Sequence, residues 1–172
     1  MAWDGIQKMN YLTFEKFCNW TGLLVEGNPL DFERVLKNRN SATINVEAIV
    51  CRAGKSVRFT RRENTGCMSH RSPEHGSPCA PMQKILDKYN IHHVHFFSLD
   101  VEGAEMEVLS TIDFAKTTVD VFMIETHGNF HCEAEVVLWF LSAKEFARVE
   151  CHKPYKCKQG SSANLFFVHK SF

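Results

Sequence analysis

Several side chains able to accept a proton or grip a hydroxyl stand where apolar runs give way to turns. Asp100 follows the run Phe96-Phe97-Ser98-Leu99, and Glu102 lies two residues further on. Glu26 follows Leu23-Leu24-Val25, Glu125 follows the run at 121–124, and His127 comes just after it. Short apolar runs of this kind read as buried strands. In open α/β sheets, ligands lie beyond the carboxyl ends of the strands, so Glu26, Asp100 and Glu125 are expected to converge on one rim. An acid in such a place can accept hydrogen bonds from the hydroxyls of a ribose, as in dinucleotide-binding folds. Asp100 and Glu102 could face a cationic centre or a hydroxyl. The alternative is a solvated polar turn: acids often end strands because they prefer water, and burying them unpartnered is costly. The residues by themselves leave both readings open.

The elements that would position these groups follow from periodicity. Tyr11, Phe14, Phe17 and Cys18 recur at helical spacing, which predicts an amphipathic helix over 10–19. After the strand ending at Glu26, Asn28 offers a cap and Pro29 suits a first helical position. Phe32, Val35 and Leu36 give that helix an apolar face. Residues 43–51 alternate in part and read as one strand, and 56–60 as another. Residues 61–78 are polar and rich in Ser, Gly and Pro, which predicts a long loop. A helix over 81–89 precedes the strand at 95–100. The next helix, over 104–111, opens after Gly103. A strand over 119–124 ending at Glu125, a helix over 133–143, and strands over 146–151 and 165–169 complete the chain. This alternation predicts an α/β fold with a mostly parallel sheet and helices on both faces. The last two strands are joined too tightly for a crossover and must be antiparallel.

The composition narrows the function. The chain has 172 residues, enough for one domain, with 44% hydrophobic and 23% charged residues. Lys+Arg and Asp+Glu both number 20, so the electrostatic footprint of a nucleic-acid binder is missing. No apolar run reaches membrane-span length, and the N-terminal residues have no signal-peptide pattern. The seven cysteines suggest disulfides in an oxidising compartment, with Cys67–Cys79 and Cys151–Cys157 as the pairs that flank loops. Cys18 and Cys51 sit in apolar patterns and read as core thiols. Cys67, His70, His75 and Cys79, like Cys151, His152 and Cys157, match no common structural zinc spacing, and no metal is expected. His92, His93 and His95 are expected to be solvated or in the core.

The run SLDVEGAEMEVL at 98–109 and the block NWTGLLVEGNP at 19–29 resemble the signatures of the FkbM-type methyltransferases, in that family's order and at about its spacing. The resemblance runs from about Asp4 to about Lys170. It implies a Rossmann-like methyltransferase fold, a three-layer sandwich with an antiparallel edge hairpin at the C-terminus, over 1–172 as a single domain. The family's first strand should precede Asp4, where only Met1, Ala2 and Trp3 stand, so the domain is expected to be N-terminally incomplete. The implied cofactor is S-adenosylmethionine, whose ribose hydroxyls, ammonium and sulfonium suit the acidic residues. By resemblance Asp4 and Gly5 end a glycine-rich cofactor loop, Glu26 takes the ribose with Asn28 following, Ala48 and Ile49 flank the adenine, and Asp100 also contacts the cofactor. The implied chemistry is methylation of a hydroxyl on a sugar or small molecule, so the expected partner is a small-molecule or glycan acceptor. Such a transfer needs alignment and a base. Asp100 and Glu102 rank as the leading catalytic residues, with His127 behind them and Glu125 a further candidate base. The chain also resembles the Star-like branch, which keeps the domain for secretory-pathway trafficking and is anchored by an upstream segment. That branch, with the cysteines, leans to the endoplasmic reticulum or Golgi lumen, with the cytoplasm as the alternative.

Overall fold

The computed structural model describes residues 12–39, 43–53, 58–59, 68–69, 79–127, 131–149 and 162–172. It divides into two compact units, Met1–Ala80 and Pro81–Phe172, each described by itself.

In the first unit, helix α1 (Leu12–Cys18) leads to strand β1 (Gly22–Glu26). Phe14 of α1 stacks on Trp20, with ring centroids 4.7 Å apart. The amphipathic reading of α1 holds only in part: Tyr11 lies outside the described residues, Phe17 is 81% exposed, and Cys18 is an exposed free thiol rather than a core residue. Helix α2 (Pro29–Asn38) begins as its sequence predicts. Asn28 caps it by accepting the Leu30 N–H at 3.1 Å, and Pro29 opens the first turn. Val35 is fully buried on its inner face, whereas Leu36 is exposed.

Strand β2 (Thr43–Glu47) pairs in parallel with β1, with Glu26 opposite Glu47. The single strand expected over 43–51 is broken at Ala48. The N–H of Ala48 turns back to the carbonyl of Glu26 at 3.0 Å, and the chain then enters β3 (Ile49–Val50), which pairs with β6 (Cys79–Ala80). Between them, β4 (Arg58–Phe59) and β5 (Met68–Ser69) pair antiparallel, so the stretch read as a loop over 61–78 contains a strand.

A disulfide joins Cys51 to Cys79, with Cα atoms 5.7 Å apart. This corrects the expected Cys67–Cys79 pair. Loop position suggested Cys67, but the β3–β6 ladder brings Cys51 and Cys79 side by side, a long-range pairing that local sequence does not reveal. Cys151 and Cys157 lie outside the described residues.

The second unit holds helix α3 (Met82–Lys88), strand β7 (His93–Leu99), helix α4 (Glu105–Leu109), strand β8 (Thr118–His127), helix α5 (His131–Ser142), strand β9 (Phe146–Val149) and strand β10 (Ser162–His169). Gln83 ties α3 down: its amide donates to Thr117 Oγ1 at 3.0 Å and its oxygen accepts the Asp113 N–H at 2.9 Å. The sheet order is β7-β8-β10-β9. β7 and β8 are parallel, while β10 runs antiparallel to both of its neighbours. The sheet is therefore mixed, not mostly parallel as expected. The terminal hairpin is antiparallel as read, but its later strand lies inside the sheet. Composition explains the order. β9 buries Phe146 alone and exposes Ala147, Arg148 and Val149, as a short edge strand can, whereas the longer β10 contributes the fully buried Phe167.

Phe122, Met123 and Ile124 of β8 are all buried, so both faces of this strand are covered, as its continuous apolar run implies. Phe114, Phe122 and Phe146 form an edge-on aromatic cluster with centroids 5.2–6.2 Å apart. Phe122 and Phe146 are buried, and each stabilises the fold by roughly 1.5–3 kcal/mol; Phe114 is half-buried. No helix among the described residues is long and apolar enough to cross a membrane.

Candidate functional site

The first unit gathers Glu26, Asn28, Ala48 and Ile49 at the carboxyl ends of β1 and β3's entry. Glu26 is 1% exposed, and its Oε1 accepts the Asn28 N–H at 2.8 Å. The carboxylate is thus fixed at the strand end by the turn that starts α2. Asn28 is fixed in turn, since its side chain caps α2 through Oδ1 and donates from Nδ2 to Asp31 Oδ2 at 2.7 Å. Ala48 holds the Glu26 carbonyl from the neighbouring strand, and Ile49 is buried beside it in sequence. Four of the residues expected to bind cofactor therefore belong to one local arrangement. Asp4 and Gly5 lie outside the described residues.

The second unit builds its rim from the ends of β7 and β8. Leu99 is in register with Ile124, which sets Asp100 level with Glu125 one step on. Asp100 is half-buried and Glu102 exposed. Glu125 does not end its strand as expected. β8 continues through His127, because Ser162 and Asn164 of β10 extend the ladder opposite His127 and Glu125. The His127 side chain lies outside what is described.

Between Asp100 and α4 the backbone makes a tight left-handed turn, with φ of 54° at Glu102 and 96° at Gly103. Gly103 adopts this conformation readily, while Glu102 does so at a steric cost. A residue the sequence reading passed over holds the turn. Glu105, at 0% exposure, accepts the N–H groups of Val101 at 3.1 Å and Gly103 at 3.2 Å, both on Oε1. Among the described residues its Oε2 is buried without a hydrogen-bond partner. An acid in the first turn of a helix that follows a glycine turn was the available signal. Its effect is to present Glu102 outward on a fixed loop.

Two carboxylates are held by backbone hydrogen bonds, Glu26 at the end of β1 and Glu105 in the turn after β7, and carboxylates suit hydroxyl and cationic donors. The chain matches the family described as the methyltransferase FkbM domain over residues 4–149, and it belongs to that family. No curated protein and no solved structure compared with the chain matches it.

Proposed function

We propose that the chain is an S-adenosylmethionine-dependent methyltransferase that methylates a hydroxyl of a sugar or small molecule. The observation that carries this reading is the buried Glu26 carboxylate, fixed at the end of β1 by the Asn28 N–H. Family membership supports methyl transfer, and a Rossmann-like, three-layer single domain is the fold that goes with it; the family match itself spans 4–149.

The residues fit the cofactor in chemical type. It offers hydroxyl and ammonium donors, and the chain offers fixed carboxylates, among them Glu105, whose buried Oε2 has no hydrogen-bond partner among the described residues. When bound, the cofactor supplies an electrophilic methyl group on a positively charged sulfur. By the family resemblance, Glu26 of the first unit would accept the ribose hydroxyls and Ala48 and Ile49 would line the adenine, while Asp100 of the second would orient the donor. Glu102, presented on its turn, would take the proton that the acceptor hydroxyl loses on methylation. His127, at the end of β8, is the second candidate base.

The Cys51–Cys79 disulfide supports maturation in an oxidising compartment, and we assign the chain to the endoplasmic reticulum or Golgi lumen. A Star-like trafficking role would share that compartment and would not need the cofactor.

Ultraviolet cross-linking of radiolabelled S-adenosylmethionine to the purified chain, followed by peptide mapping, tests the reading. Label on peptides carrying Glu26 or Asp100, competed by S-adenosylhomocysteine, supports it. Absence of competable label on a folded chain contradicts it and favours the trafficking role.

A further inference from the structure

At the opposite end of β7 from Asp100, His93, His95 and Asp120 bring their ligand atoms within 4.8 Å of one another. We propose that these three side chains form a binding site for zinc, or a divalent transition ion of similar ligand preference. The inference does not rest on the methyltransferase reading. His95 lies five residues before Asp100, about 16 Å along an extended strand, so the ion would bind away from the rim assigned to methyl transfer.

The strand pattern makes the site. His93 and His95 are two residues apart on β7 and point to one face. Val94 and Phe96 are in register with Val119 and Val121 of β8, which sets Asp120 level with His95. His93 Nε2 lies 2.8 Å from Asp120 Oδ1, and the two imidazole rings lie 4.4 Å apart. Satisfying the buried Asp120 would take one imidazole; a second on the same face completes a chelating set. His92 is turned away to Asn90 Oδ1 at 3.0 Å and is not part of it.

Two imidazoles and a carboxylate are the ligand types that zinc and its neighbours favour, and three protein ligands leave a coordination position for water. Tetrahedral zinc, with bonds of about 2.0–2.2 Å, needs ligand atoms roughly 3.3–3.6 Å apart. The 2.8 Å His93–Asp120 contact must open by about half an ångström, and the wider separations, up to 4.8 Å, must close by about 1 Å. His93 and His95 are exposed, while Asp120 is buried and serves as the anchor. Metal binding would take the place of the His93–Asp120 hydrogen bond.

The test is a zinc titration of the tag-free full chain against a chromophoric chelator, with His93→Ala, His95→Ala and His92→Ala compared. The expected result is a zinc site whose affinity falls by about tenfold or more in the first two variants and is unchanged in the third. Circular dichroism checks that each variant is folded, and His95→Gln replaces the alanine variant if that one is not. No zinc binding by the wild-type chain, or equal binding by the His93 and His95 variants, overturns the proposal. In the latter case zinc would be held elsewhere among the cysteines and histidines.

Discussion

Glu105 accepts the backbone N–H of Gly103 at 3.2 Å with the same oxygen that accepts Val101. A fully buried carboxylate thus fixes the turn that carries Glu102, and the local sequence cannot make that turn cheaply without it. Gly103 supplies one left-handed residue; Glu102 is forced into the second. Backbone strain of this kind persists where surrounding contacts over-determine it.

Replacing Glu105 with Ala therefore leaves two backbone donors in the turn without their acceptor. The expected loss is about 1–3 kcal/mol in unfolding free energy, read from urea titration with an unchanged m-value. A variant as stable as the wild type would show that water or another group satisfies the turn.

Much of this arrangement could be read from sequence, and the exceptions share a cause. The Asn28-Pro29 start of α2 and the buried run of β8 are local patterns, and they appear as expected. The break at Ala48, the Cys51–Cys79 pair and the insertion of β10 between β8 and β9 depend on strands distant in sequence. The strand-end positions of Glu26 and Asp100 were legible because an acid after an apolar run is a local signal. Glu105 was not, because an acid at the first position of a helix looks like ordinary charge on a helix start until the backbone donors it meets are known. The continuation of β8 past Glu125 had no local marker either, since its partners come from residues 162–164.

The disulfide closes a stretch of 28 residues in sequence. Chain entropy for a loop of that size predicts that Cys79→Ser costs roughly 3–4 kcal/mol. Peptide mapping without reductant should recover a linked peptide containing Cys51 and Cys79. A Cys67–Cys79 link would contradict the assignment.

In the first unit, Arg39 is almost fully buried, pairs with Glu15, and donates to Thr43 Oγ1 at 3.1 Å; Thr43 in turn donates to Glu15 at 3.2 Å. The set ties α1 to the end of α2 and the start of β2. Arg39→Met leaves Glu15 without its cation and should cost about 2–4 kcal/mol. Adding Glu15→Met should restore part of that loss, because both charges are then gone. Purely additive losses in chemical denaturation would show that the two side chains are not coupled.

The most direct test of the central claim is calorimetric titration of S-adenosylhomocysteine into the purified chain and into Glu26→Gln. The account predicts micromolar binding by the wild type and a loss of roughly tenfold or more in the variant, the scale of one hydrogen bond to a charged acceptor. A folded wild-type chain that does not bind, or a Glu26→Gln variant that binds equally well, would contradict it.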